Sequence, residues 1–208
     1  MTKHKHWRRC LCMVCCLLLG LSAASLPSLK VSLSSHALHK VDIPAWIEPA
    51  LIEVDGASRR GVALEAFRDI VVHYVGNPGS TARANRNWFN SSNSTVSSHF
   101  VVGLDGEILQ CVPLWERSSA SNHRNKDTIS IEVCHPDDTG QFNDKTYASL
   151  VKLTAWLVRV GNLDTDHVIR HHDVTGKECP RWFVREPQEW EIFKENVKKE
   201  MEKSQKPS

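Results

Sequence analysis

Residues 168–180 read VIRHHDVTGKECP, so two imidazoles, carboxylates, an ammonium and a thiol follow directly on a short apolar run. Packing alone does not call for that density of polar chemistry. Histidine and cysteine are common zinc ligands, and a pair drawn from this stretch leaves one or two coordination places to fill. His73 is the best candidate for the missing place. It interrupts the apolar run Ile70-Val71-Val72 and stands just before the breaker Gly76-Asn77-Pro78-Gly79. On its own such a histidine reads equally as a hydrogen-bonded core residue. A second histidine and a cysteine that also close a strand and its following loop favour the ligand reading. His73, His171 and Cys179 then form a site with one tetrahedral position open, which is the catalytic arrangement of zinc.

The elements that must position these residues follow from periodicity. Residues 69–75 are β-branched and almost wholly apolar, as a strand covered on both faces should be. Ser80 or Thr81 can cap a helix running to about Phe89. Residues 96–102 and 107–112, joined by Leu104-Asp105-Gly106, read as a hairpin, and residues 128–133 as a further strand. Asn143 or Asp144 can cap a long amphipathic helix that ends at Gly161, a short strand over 167–170 delivers the polar stretch, and Pro187 opens a terminal helix with Trp190 and Phe193 inward. Strands interleaved with helices predict an α/β fold, a single domain with a central mixed β-sheet flanked by helices.

Composition narrows the partners. The chain has 208 residues, enough for one domain with a full core, and its hydrophobic and charged fractions of 41% and 24% are those of a globular protein. Lys3, Lys5, Arg8 and Arg9 are set in a leader that contains no acid, and with them set aside 22 basic residues face 24 acidic ones. The remainder has no cationic excess, which argues against nucleic acid as a partner. Residues 1–24 read as a secretion signal, with a basic start, an apolar run and Ser22-Ala23-Ala24 before Ser25. An uncleaved membrane anchor over residues 10–26 is the rival, so the expected location is secreted or wall-associated, with a membrane contact only if the leader is retained. Residues 25–41 are expected to be a tether and residues 42–208 the domain. Four of the seven cysteines belong to the leader, and Cys111 and Cys134 are read either as buried thiols or as a pair. A monomer is expected.

At this point the residues carry a resemblance. Ile70-Val71-Val72-His73-Tyr74, Val96-Ser97-Ser98-His99-Phe100-Val101-Val102 with Asp105-Gly106, Ile129-Ser130-Ile131-Glu132, and the run from His171 to Pro180 occur in the order found in zinc-dependent N-acetylmuramoyl-L-alanine amidases of the type 2 family, which includes phage lysins and peptidoglycan recognition proteins. The resemblance spans about residues 67–183. It implies a hydrolase that cleaves the amide bond between N-acetylmuramic acid and L-alanine in peptidoglycan by attack of a zinc-activated water. It makes His73, His171 and Cys179 the Zn2+ ligands, Glu132 the carboxylate that handles protons, and Lys177 a helper near the reacting carbonyl. His99, Asp173 and His172 are expected to support the ligands or their loop, whereas His123, His135 and His167 are expected at the surface.

The sequence also departs from the family. Relatives carry a Trp-His pair after the position of Leu114; here the loop reads Trp115-Glu116-Arg117-Ser118-Ser119-Ala120-Ser121-Asn122-His123, so this cleft wall is different. Phage members with the lysine place a tyrosine before the histidine equivalent to His99, and Ser98 stands here. That weakens Lys177 and favours Glu132 for proton transfer. Two other classes stay in view: a wall-binding module that does not cut, against which Cys179 argues, and a cysteine hydrolase built on Cys179 and His171, against which Pro180 and the two further ligand candidates argue.

Overall fold

The computed structural model describes residues 33–54 and 57–203. The leader, residues 25–32 of the expected tether and the apolar run 10–26 lie outside them. Six strands form one mixed sheet in the order β1-β4-β3-β5-β2-β6: β1 (Glu48–Pro49), β2 (Asp69–Val72), β3 (Phe100–Val102), β4 (Ile108–Gln110), β5 (Thr128–Val133) and β6 (Val168–Arg170). Every neighbouring pair is parallel except the β3–β4 hairpin. The helices are α1 (Ser35–Leu38), α2 (Ala82–Phe89), α3 (Asp144–Gly161), α4 (His171–Thr175), α5 (Arg181–Arg185) and α6 (Pro187–Lys203).

The two faces of the sheet bury different things. Alternate residues Ile70, Val72, Phe100, Val102, Ile129, Ile131 and Val133 point to one face, where Leu150, Leu153, Leu157 and Val158 of α3 cover them. Outside α3 lies α6, whose Trp190 and Phe193 close an aromatic group with Phe183 and Phe142. On the opposite face Val101 and Leu109 pack with Ala82 and Phe89 of α2 and with Cys111 and Cys134. Both cysteines are free and buried, so they are not a disulfide.

The helix ends obey the capping chemistry read from sequence. Thr81 accepts from the Ala84 amide at 3.1 Å and Asn143 from the Thr146 amide at 3.0 Å. Past Gly161 the chain turns through Asn162, in the left-handed region at φ 50°.

One expectation needs correction. Residues 33–41 are not a free tether: Leu38 is fully buried in the main core, the Leu33 carbonyl accepts from the Phe67 amide at 2.9 Å, and His39 stacks on Trp115 at 4.2 Å. One buried leucine in a polar segment leaves no periodicity, which is why composition reads it as a linker. Glu48–Pro49 follows the turn at Ala45–Trp46 and forms the exposed edge strand β1, where a proline without an N–H can be tolerated. Among the described residues no helix is long and apolar enough to cross a membrane.

Candidate metal centre and cleft

Strand register explains how the chemistry assembles. Val72 of β2 pairs with Ile131 of β5 on one side and with Arg170 of β6 on the other. The next residue along, His73, continues the pairing through its amide to the Ile131 carbonyl at 2.8 Å. His73 therefore stands between Glu132 and His171, on the sheet face opposite the α3 core. Its Nδ1 lies 3.9 Å from Glu132 Oε1, and its ring centroid is 4.5 Å from that of His171.

Cys179 arrives by a folded-back loop. His171 opens α4, and the amide of the following His172 donates to the Cys179 carbonyl at 2.8 Å, which pins the end of the loop beside the start of the helix. One ligating atom from each of His73, His171 and Cys179 falls within 4.8 Å of the others, so the three can hold one metal ion. All three side chains are buried.

Burial sets their protonation. It is the main cause that holds the His73 pKa well below the ordinary imidazole value, with the charges of His171 and Lys177 adding to it, and it lowers His171 likewise. Both shifts favour the neutral ring, the form in which imidazole ligates a metal. Burial pushes the Cys179 thiol up to about 12, partly helped by Glu132, so it stays protonated near neutral pH and would ionise only where a cation takes the place of its proton. It also raises the Glu132 carboxyl to about 8, opposed by the Lys177 charge. Glu132 Oε2 is buried without a hydrogen-bond partner, an arrangement seldom kept for structural reasons alone.

These groups lie in a cleft of about 1200 Å³. Trp88 and Phe89 of α2, Val96, Ser119, Ala120 and Asn122 form its walls, and Lys177 lines it from the α4 side. Trp88 is half exposed, at 52%, and offers an aromatic face to the opening.

The remaining sequence candidates fall outside the cleft. His99 is fully buried; Ser130 donates its amide to Nδ1 at 3.0 Å, and Nε2 donates to the Glu116 carbonyl at 2.9 Å. Asp173 accepts from the Arg170 amide at 2.8 Å and from its guanidinium at 2.7 Å, holding the start of α4. His172 Nδ1 meets the Lys177 carbonyl at 3.1 Å and braces the same loop. His135, expected at the surface, is fully buried, with Nδ1 2.7 Å from the Asp137 carbonyl and its ring 5.0 Å from Tyr74. The cause is simple: the chain stays buried through Val133, Cys134 and His135 and reaches the surface only at Pro136.

Sequence reasoning passed over Ser121 and Asn122. Ser121 Oγ lies 3.2 Å from His73 Nε2, and Asn122 Oδ1 lies 2.8 Å from His171 Nε2. Both are neutral residues in a polar loop, and only the missing Trp-His pair marked that loop as unusual.

Comparison with known proteins agrees with this geometry. The family model described as N-acetylmuramoyl-L-alanine amidase matches residues 64–182, more than half of the chain. The N-acetylmuramoyl-L-alanine amidase BlyA of Bacillus subtilis (strain 168) is 30% identical over 171 residues, covering 72% of this chain and 46% of its own length. Among solved structures, a mutant endolysin from Bacillus subtilis superposes with a TM-score of 0.64 at 31% identity, covering 73% of this chain and 97% of that one. The catalytic domain of XlyA gives 0.63 at 30% identity, with 73% and 98% covered. The chain spans about half the length of the curated relatives it matches.

Proposed function

The chain belongs to the N-acetylmuramoyl-L-alanine amidase family, and on that premise we propose that it is an exported zinc hydrolase that cuts peptidoglycan between N-acetylmuramic acid and L-alanine. The observation that carries the reading is the convergence of His73, His171 and Cys179 within 4.8 Å, beside an unpartnered buried carboxylate, in an open cleft. Two neutral imidazoles and a thiol are a borderline-to-soft donor set that suits zinc, and the cleft leaves the fourth position to water or substrate.

Bound there, zinc supplies an acidified water and positive charge beside the scissile carbonyl. Glu132 supplies the proton handling. It takes a proton as the water attacks the amide carbon and returns it to the alanine nitrogen, which must leave as an amine. Burial raises the carboxyl to about 8 in the metal-free chain, and the positive charge of a bound zinc would favour the ionised form that takes the proton, with the apolar surroundings favouring its return. Lys177 adds positive charge at the cleft wall, where the tetrahedral oxyanion needs it. The half-exposed Trp88 gives the glycan or stem a flat apolar surface to lie against.

The test is to incubate the full chain with muropeptides, with and without a chelator. Free N-terminal alanine should appear, stop on chelation and return with zinc. Glu132→Gln should retain zinc and lose roughly 10²–10⁴-fold in turnover, the usual worth of a positioned acid–base group. Wall binding with no release of alanine would instead identify a binding module, and an unchanged rate in Glu132→Gln would remove the proton-transfer role.

A further inference from the structure

His73 follows β2 and His171 opens α4, yet the Nε2 atoms of both rings are met by adjacent residues of one loop. Ser121 faces His73 and Asn122 faces His171. A neutral imidazole carries its proton on one nitrogen only, and the partner of that nitrogen decides which one is free to ligate. An amide oxygen can only accept, so His171 Nε2 bears the proton and its Nδ1 carries the lone pair. For His73 the hydroxyl of Ser121 meets Nε2 and can donate or accept, so it fixes the ring's orientation rather than its tautomer, with Nδ1 turned toward Glu132 in the cleft at 3.9 Å.

We propose that Ser121 and Asn122 are positioning residues that present Nδ1 of both His73 and His171 to a single zinc ion, an inference that rests on the zinc reading above. The loop is built to hold them. Asn125 Oδ1 accepts from the Ala120 amide at 3.1 Å and from the Ser121 amide at 2.6 Å. Asn122 takes a left-handed backbone at φ 55°, a conformation asparagine tolerates better than most residues. Arg124 then ties the loop to Asp127 at 2.8 Å and to Asp69 at the root of β2, the strand that delivers His73. Ser121 is fully buried, whereas Asn122 stands at the cleft rim, exposed to solvent.

The chemical type of the partners has a consequence. A carboxylate behind a ligating imidazole makes the ring more basic and a stronger donor. A hydroxyl and an amide orient the rings without adding that donation, and leave the metal a stronger Lewis acid.

Zinc affinity of the metal-free full chain, measured by competition with a chromogenic chelator, tests the proposal without relying on turnover. Asn122→Gly keeps the backbone conformation and removes the amide; it should bind zinc roughly 10–100-fold more weakly, and Ser121→Ala should lose affinity in the same sense. Asn122→Asp retains an acceptor and should bind at least as tightly as the parent. Near-UV circular dichroism and the melting point of each metal-free variant separate lost positioning from lost folding, and if Asn122→Gly does not fold, the Asp and Ser121 variants decide. Parental affinity in both Asn122→Gly and Ser121→Ala, or a loss in Asn122→Asp as large as in Gly, overturns the inference. A parent chain that binds no zinc overturns the functional reading as well, so the two failures are distinguishable.

Discussion

His99 and Glu132 are both buried ionisable groups on the sheet face opposite α3, yet their surroundings assign them different work. The imidazole of His99 has both nitrogens satisfied and no access to the cleft, so it serves the loop at Glu116 and the strand at Ser130. Burial lowers its pKa to about 4, against an ordinary value of 6.5. The unfolded chain therefore takes up a proton at this residue before the folded one does. Stability from the neutral, buried His99 is complete above pH 6.5 and is lost as the pH falls toward 4, by roughly 3 kcal/mol in all. Urea titrations of the full chain and of His99→Gln between pH 7 and 4 should show the parent losing stability more steeply; parallel curves would contradict the assignment. Glu132 shares the burial but keeps one oxygen without a partner and faces His73, which is the setting of a reacting group.

At the scale of elements, strand register does most of the assembling. Because β2 lies between β5 and β6 with parallel pairing on both sides, one step past Val72 brings His73, Glu132 and His171 to the same sheet edge. The sequence makes much of this legible: β-branched runs mark β2 and β5, Asn143 marks the start of α3, and a histidine ending each of two strands points to one edge. The roles of Ser121 and Asn122 are not legible there, since small neutral residues in a loop carry no periodicity and their contacts lie 48 and 49 residues away along the chain. The Cys179 side of the site depends on α5. Phe183 in that helix is buried against Phe142, Trp190 and Phe193, with ring centroids 5.2–5.5 Å apart, and its carbonyl accepts from Arg170 at 3.0 Å. Phe183→Ala should cost about 3–5 kcal/mol in chemical denaturation. A loss below about 1 kcal/mol would mean that the aromatic group does not anchor this helix.

For the whole molecule, the boundary of the domain matters more than composition suggests. The segment before residue 42 contributes a fully buried Leu38, a backbone bridge to Phe67 and a ring stacked on Trp115, so the folded unit begins by residue 33. A chain starting at residue 42 should be less stable than one starting at residue 33 by about 2 kcal/mol or more, the worth of burying one leucine side chain plus its contacts. Equal denaturation midpoints for the two would return the segment to the status of a tether. The division of labour is otherwise simple: the α3 and α6 face holds the main apolar core, and the opposite face carries a smaller apolar cluster under α2 together with the reactive groups and the cleft.

At the centre of the proposed chemistry is one metal ion held by His73, His171 and Cys179. Zinc content of the purified full chain after exhaustive dialysis, compared with the same measurement on Cys179→Ala, tests that site directly. One zinc per chain in the parent, with most of it lost from the variant, is the predicted result. A parent chain that retains no zinc, or a variant that retains as much as the parent, would contradict it.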